Sequence, residues 1–252
     1  MKFIAIIPAR YASTRFPAKP LAMLGGKPII QRVYERVSSV IDNTVVATDD
    51  ERIKSAVEAF GGRVVMTSTH HRSGTDRCFE AFTIAGADSD VVINVQGDEP
   101  FIAPSQLRSL MACFDDSTTD IATLVKPFTP EMGIEALRNP NSPKVVVGAN
   151  HQALYFSRSV IPYLRGIDEN EWLSHHTFYK HIGLYAYRAD VLRQISAMAP
   201  GCLEQAESLE QLRWLEAGLA IKVGETNIET IGIDTPEDLA RAEAFLAQKT
   251  IK

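Results

Sequence analysis

Three stretches of the chain carry residue types that can handle phosphate or a divalent cation. The first, Pro8-Ala9-Arg10-Tyr11-Ala12-Ser13-Thr14-Arg15-Phe16-Pro17-Ala18-Lys19-Pro20, brings Arg10, Arg15 and Lys19 close together in sequence. Guanidinium and ammonium groups supply positive charge for phosphate oxygens, and small residues let backbone N–H groups approach an anion. Composition alone allows a solvated basic loop equally well. The second, Gln96-Gly97-Asp98-Glu99-Pro100, follows the apolar run Val91-Val92-Ile93-Asn94-Val95, with Gly97 permitting a sharp turn. A carboxylate at the carboxyl end of a strand is a hard ligand for Mg²⁺, which takes one or two carboxylates together with phosphate oxygens. The third, Ile231-Gly232-Ile233-Asp234-Thr235-Pro236, repeats that pattern. Asp98 and Asp234 could therefore share one cation, although local sequence is as compatible with Asp234 capping a following helix.

These residues need elements to position them. Val- and Ile-rich runs alternate with amphipathic stretches, which predicts α/β architecture: a mainly parallel or mixed twisted sheet flanked by helices. Phe3 to Ile7 reads as the first strand, and Pro28 opens a helix with apolar positions at Ile29, Ile30, Val33 and Val37. The basic loop thus lies between a strand and a helix, at the carboxyl end of the sheet, where open α/β folds bind ligands. Thr44 to Ala47 and Arg63 to Met66 read as strands around a helix that Asp49 or Asp50 caps and Gly61-Gly62 ends. A helix near Thr75 to Ala85 precedes the strand that leads to Asp98, and Pro104 opens another. Further strands are expected at Ile121 to Val125, Val145 to Val147, Ala153 to Phe156 and Ile182 to Tyr187. Leu209, Leu212 and Leu215 keep helical spacing, and Pro236 to Gln248 reads as a last helix capped by Asp234 or Thr235. Pro127, Pro130, Pro140 and Pro143 crowd one region, so a single domain over residues 1–252 is expected to carry an inserted excursion across roughly 127–190.

Composition narrows the class. The 252 residues, 45% hydrophobic and 23% charged, describe a soluble globular chain of one large domain or two small ones. Acids outnumber bases 31 to 26, a net charge of -5, so neither nucleic acid nor an anionic membrane is an expected partner. Residues 1–34 nevertheless hold six bases and no acid, where even spreading would place about four acids. The apolar start ends at Pro8 and Arg10, too soon for a signal peptide, and no apolar run approaches a membrane span. Cys78, Cys113 and Cys202 form no C-x-x-C pair and read as small core residues bearing free thiols in a reducing compartment. The histidines lack H-E-x-x-H spacing, and the chain has neither a Walker A loop nor a G-x-G-x-x-G fingerprint after the first strand.

Longer motifs sharpen the picture. Ile6-Ile7-Pro8-Ala9-Arg10, Ser13-Thr14-Arg15-Phe16-Pro17, Lys19-Pro20-Leu21 and Asn94 to Pro100 resemble the cytidylyltransferases that activate 3-deoxy-manno-octulosonate (KDO). So do Ser68 to Arg77, Tyr155 to Pro162, Lys180 to Tyr187, Leu203 to Arg213 and Gly232 to Asp238, in family order over nearly the whole chain. The first-loop and last-helix motifs are shared with other sugar nucleotidyltransferases. The segments around His181 and from Glu207 to Arg213 are more specific to KDO activation.

The resemblance implies a Rossmann-like nucleotidyltransferase fold of glycosyltransferase-A type, with CTP and KDO giving CMP-KDO and pyrophosphate for lipopolysaccharide. It also implies Mg²⁺, a homodimer and a cytoplasmic location. Carried onto this chain, it gives catalytic roles to Arg10, Lys19, Asp98 and Asp234, with Asp98 and Asp234 on the metal. Pro8, Ala9, Arg10, Ser13, Lys19, Ser68, Ser73, Arg77, Gln96 and Asp98 would meet the nucleotide. Gln96, Arg158, His181, Tyr185, Glu210 and Gln211 would meet the sugar, with Arg158 pairing its carboxylate and His181 and Gln211 reading hydroxyls. Ser73-Gly74-Thr75 would equally make a turn and helix cap. Two departures stand out. Ala18 occupies a position where the family commonly has Gly, harmless only if φ is not positive, and Trp214 stands where a smaller aliphatic residue is expected.

Overall fold

The computed structural model describes all residues except 13, 14, 72, 86, 87, 230, 231, 251 and 252, and describes no side chains at 249 and 250. In chain order the described strands and α-helices are β1 Phe3–Ala9, β2 Met23–Leu24, β3 Lys27–Pro28, α1 Ile29–Ser38, β4 Thr44–Thr48, α2 Glu51–Ala59, β5 Val64–Met66, α3 Gly74–Ala85 and β6 Val91–Asn94. Then come α4 Pro104–Ala112, β7 Ile121–Pro127, α5 Gly133–Arg138, β8 Lys144–Val147, β9 Ala153–Ser157, α6 Trp172–His175 and β10 Tyr179–Arg188. The last are α7 Ala189–Ser196, α8 Cys202–Glu207, α9 Gln211–Glu216, β11 Ile221–Glu225 and α10 Pro236–Thr250. The chain divides into two compact units, one of Met1–Leu107, Arg188–Ser196 and Thr230–Lys252, the other of Arg108–Tyr187 and Ala197–Glu229.

In the first unit the strands lie in the order β6-β1-β4-β5, all parallel, with Phe3 opposite Val91, Ala5 opposite Thr44 and Val46 opposite Val64. Ile4, Ala5, Ile6 and Ile7 of β1 and Val91, Val92 and Ile93 of β6 are fully buried, as strands covered on both faces must be. The four apolar positions expected on α1 are all buried. Asp50 caps α2 by accepting from the Arg52 N–H at 2.9 Å, and Gly61 at φ 77° follows its end.

The last helix resolves an ambiguity in the sequence. Thr235 Oγ1 accepts from the Asp238 N–H at 3.2 Å, while the Asp238 carboxylate accepts from Thr235 N at 2.9 Å and Asp234 N at 3.0 Å. That reciprocal pair is a capping box, so Thr235 is the cap and the Asp234 carboxylate is released for other work. The expectation of a strand leading into Asp234 fails, since residues 232–235 form none.

In the second unit β7 pairs parallel with β11 and antiparallel with β10, and β8 pairs antiparallel with both β10 and β9. The Pro-rich stretch holds a helical turn at Pro130–Met132, then α5, then a turn at 140–142. Phe128 and Leu137 pack there with Trp172 and Phe178 in a small apolar cluster. The helical spacing of Leu209, Leu212 and Leu215 is met by α9, which carries Leu212 and Leu215 and begins two residues after Leu209, and Ser208, at left-handed φ 52° and ψ 48°, separates it from α8. Strand β11 had no counterpart in the sequence reading: five residues ending in Gly-Glu leave too short an apolar pattern. Cys78 and Cys113 are buried as expected, but Cys202 lies exposed at the start of α8.

Candidate active site

The first loop and the ends of β1 and β6 enclose a pocket in the first unit. Pro8, Ala9, Arg10, Arg15, Lys19, His71, Ser73, Gly74, Arg77, Gln96, Gly97, Asp98 and Asp234 line it. Close approach of the two strand ends needs glycine at 97, where a Cβ would stand 2.8 Å from the Pro8 carbonyl oxygen. The loop is closed by Ala18 N donating to Tyr11 O at 3.0 Å, and the Arg52 guanidinium lies 3.4 Å above the Tyr11 ring. Ala18 itself adopts φ 59° and ψ 16°, the left-handed conformation in which an alanine is strained.

At the centre of the pocket, Lys19 Nζ stands 2.5 Å from Asp98 Oδ2 and 3.0 Å from Asp234 Oδ1. The two acids, Asp98 and Asp234, lie far apart in sequence, yet they face one positive charge. A backbone hydrogen bond from Ile233 N to Asp98 O, 3.0 Å long, fastens the two acid-bearing segments side by side. Arg15 approaches Asp234 at 3.4 Å, and Arg10 is exposed at the pocket wall. The Lys19 side chain is 13% exposed and that of Asp234 49%, so the cation is sheltered while one carboxylate still faces solvent.

The wall beside α3 is braced by side chains of that helix. Ser73 Oγ accepts from the Asp76 N–H at 3.1 Å, capping α3 while lining the pocket. Arg77, 4% exposed, donates to Thr67 Oγ1 at 2.6 Å and to Asp49 Oδ2 at 2.7 Å. One turn on, Glu80 accepts from the Ser68 N–H at 2.8 Å and pairs with His71 Nε2. Gln96 Nε2 donates to Asn94 Oδ1 at 3.2 Å.

In the second unit, His181 packs edge-on to Phe156 and tilted against Tyr185, with Nε2 3.0 Å from Thr123 Oγ1. Burial pushes its pKa down to about 4, so the ring is neutral near pH 7. Trp214 is fully buried and meets Tyr185 and Tyr187 edge to face at 5.2 and 5.5 Å between centroids. The Tyr185 hydroxyl, Gln211 Nε2 and Trp214 Nε1 are buried polar atoms that find no partner among the described residues. Buried polar groups are normally satisfied, so such a cluster suits a polar ligand. Glu210 accepts from Arg213 at 2.6 Å.

Similarity to known proteins identifies the family. The family described as Cytidylyltransferase matches residues 4–231. A 3-deoxy-manno-octulosonate cytidylyltransferase of Phocaeicola vulgatus is 70% identical over 249 residues, 99% of each chain. One from Bacteroides thetaiotaomicron is 66% identical over 250 residues, 99% of this chain and 100% of that one. The chain belongs to the 3-deoxy-manno-octulosonate cytidylyltransferase family. Among solved structures, CMP:2-keto-3-deoxy-manno-octonic acid synthetase complexed with CTP superposes with a TM-score of 0.89 at 43% identity, covering 99% of this chain and 100% of that one. A Leptospira borgpetersenii cytidylyltransferase at 17% identity and a TM-score of 0.62 shares the fold.

Against that family, the residues expected from sequence divide clearly. Pro8, Ala9, Arg10, Lys19, Ser73, Arg77, Gln96, Asp98 and Asp234 come together in one pocket, whereas Ser13 lies outside the described residues. Ser68 is not on the wall, its Oγ accepting from His70 N at 3.1 Å. The Lys19 ammonium meets the two carboxylates instead of standing open for phosphate. Arg158 differs most from expectation: its Nε, Nη1 and Nη2 donate to the carbonyls of Glu207 at 2.6 Å, Pro140 at 2.9 Å and Ser208 at 3.3 Å. A guanidinium held by three carbonyls is first a brace between β9 and the α8–α9 turn, with two N–H groups left for a carboxylate. His71 was not singled out in the sequence, although it sits inside the quoted Ser68 to Arg77 segment, because a histidine in a polar turn carries no signal of its own.

Proposed function

We propose that this chain transfers the cytidylyl group of CTP to the anomeric hydroxyl of KDO, with Mg²⁺. The sugar oxygen bonds to the α-phosphorus, the bond from that phosphorus to the bridging oxygen breaks, pyrophosphate leaves, and the hydroxyl proton passes to solvent. CMP-KDO and pyrophosphate are the products. The observation that carries this reading is the convergence of Asp98 and Asp234 on a single positive charge within a pocket rimmed by Arg10 and Arg15.

Two carboxylates held about one cation are the hard donor set that Mg²⁺ takes when phosphate oxygens complete its shell. When bound, the ion would supply Lewis-acid polarisation of the phosphate and an acidified sugar hydroxyl. Asp98 and Asp234 would hold it, and the displaced Lys19 ammonium, joined by Arg10, would neutralise the charge that grows on the departing pyrophosphate. Gly97 and the small residues Pro8 and Ala9 keep the wall open to the triphosphate. Tyr185 and Gln211 supply unsatisfied polar atoms for sugar hydroxyls, and neutral His181 can add a hydrogen bond without a charge. A cytoplasmic homodimer goes with this reading; cell fractionation and sedimentation equilibrium check it.

The purified chain given CTP, Mg²⁺ and KDO should release pyrophosphate and yield CMP-KDO by mass spectrometry. An 8-amino analogue and related acidic sugars, offered in turn, measure how far the second unit discriminates. Failure to turn over KDO while another acidic sugar reacts would refute the KDO assignment.

A further inference from the structure

Strand β1 pairs with β4 so that Ala9 stands opposite Thr48. Two residues further along each segment lie Tyr11, in the basic loop, and Asp50, the cap of α2. The parallel register thus brings a loop ring and a helix-capping carboxylate within reach of one side chain, that of Arg52. Its Nε donates to Asp50 Oδ1 at 2.9 Å and its Nη2 to Asp50 Oδ2 at 2.6 Å, while the guanidinium carbon lies 3.4 Å from the centre of the Tyr11 ring. Hydrogen bonding from Arg52 holds the Asp50 carboxyl below its ordinary value, so the pair stays ionised. A bidentate carboxylate at one edge and an aromatic face beneath leave the guanidinium plane a single setting.

Tyr11 forms the neck of the loop, since its carbonyl accepts from Ala18 N at 3.0 Å. Arg10 precedes that neck, Arg15 lies within the loop, and Lys19 follows it. The far limb is held to Asp98 and Asp234 through Lys19 and Arg15, and the Lys19 pairs must break when its ammonium turns to phosphate. Tyr11, Asp50 and Arg52 lie off the pocket wall, so their contact can persist while the ligand binds. We propose that Arg52 is a positioning residue for the triphosphate: pinned by Asp50 and laid on the Tyr11 ring, it latches the neck of the loop and keeps Arg10, Arg15 and Lys19 at the pocket. This rests on the cytidylyl-transfer reading above and names the contact that holds its phosphate loop in place.

Calorimetric titration with CTP and Mg²⁺, KM for each substrate, and tryptic cleavage of the ligand-free protein after Arg15 test it. Arg52→Met and Tyr11→Leu should each weaken CTP binding and speed that cleavage by about two- to fivefold, the scale of one exposed cation–π contact. Cleavage outside the loop should keep its parental rate, and the loss should fall on KM for CTP rather than on KM for the sugar. The double variant should fall no further than either single one, because the two side chains make one contact. Tyr11→Phe keeps the ring and should behave as the parent does. Additive losses in the double variant would make Arg52 a direct phosphate ligand and overturn the latch, as would parental CTP affinity in both single variants; either result leaves the cytidylyl-transfer reading standing. A parent protein that binds no CTP overturns both.

Discussion

Ala18 gives a direct test of the loop that carries Lys19. Its φ of 59° and ψ of 16° place a Cβ-bearing residue in the left-handed region immediately before Lys19, at a cost of roughly 1–2 kcal/mol relative to a right-handed conformation. Glycine removes that cost but adds about 0.5–1 kcal/mol of chain entropy to be lost on folding. Ala18→Gly should therefore stabilise the protein by about 0.5–1 kcal/mol, the difference of the two terms. Asparagine tolerates the left-handed region and should be close to neutral, whereas a β-branched valine should lose a further 1 kcal/mol or so. The order Gly above Asn and Ala, with Val lowest, is read from urea midpoints at constant m-value. Because glycine keeps the conformation, kcat/KM should stay within about twofold, while valine should displace Lys19 and cut it by about tenfold, a barrier change near 1.4 kcal/mol. If Ala18→Gly instead destabilises by about 1 kcal/mol, as glycine does in ordinary backbone, the left-handed assignment is wrong.

Other expectations follow from the same geometry. Asp98→Asn should lower Mg²⁺-dependent turnover by at least about a hundredfold and weaken Mn²⁺ binding in parallel; unchanged turnover would remove Asp98 from the metal. Arg77→Met strands the mostly buried Asp49 carboxylate and should cost about 3–5 kcal/mol, part of which Asp49→Leu in the same chain should restore, measured as a double-mutant cycle in urea. His181 has its pKa lowered from 6.5 to about 4 in the folded chain. Between those values the unfolded chain binds more protons, so stability must fall as pH drops from 6.5 toward 4. The loss would reach about 3 kcal/mol at its lower end. Urea unfolding of the parent and of His181→Gln from pH 4 to 7.5 should therefore converge on acidification, and parallel curves would refute it.

The first unit was legible because its rules are local. Pro28 before a 3.6-residue apolar pattern, Asp50 before Arg52, and continuous Ile and Val in β1 and β6 each point the same way, and the structure follows them. The second unit was less so. Leu212 and Leu215 lie on α9 as their spacing implies, but the left-handed Ser208 that separates α9 from α8, and the donation of Arg158 to the Glu207 and Ser208 carbonyls, have no local signal. Nothing in the local pattern encodes that long-range contact. Arg158 shows the same limit: sequence shows a cation, and only tertiary structure shows which carbonyls it holds.

The basic start of an acidic chain also takes on a physical meaning. Positive charge alone would have made the loop an anion trap, but Lys19 is sheltered between two carboxylates, with Arg15 3.4 Å from Asp234, so charge is balanced near the pocket's centre while Arg10 is exposed at the wall. An incoming triphosphate adds negative charge that Lys19 cannot match without leaving Asp98 and Asp234, and a divalent ion can take its place only if the ammonium moves. Nucleotide and metal should therefore bind with positive coupling, each favouring the displaced state that the other needs. Lys19→Met removes the competitor, so metal affinity in the absence of nucleotide should rise while the coupling shrinks. Calorimetric titration of Mn²⁺ with and without CTP reads both quantities, and a coupling that survives Lys19→Met undiminished would show that the lysine does not link them.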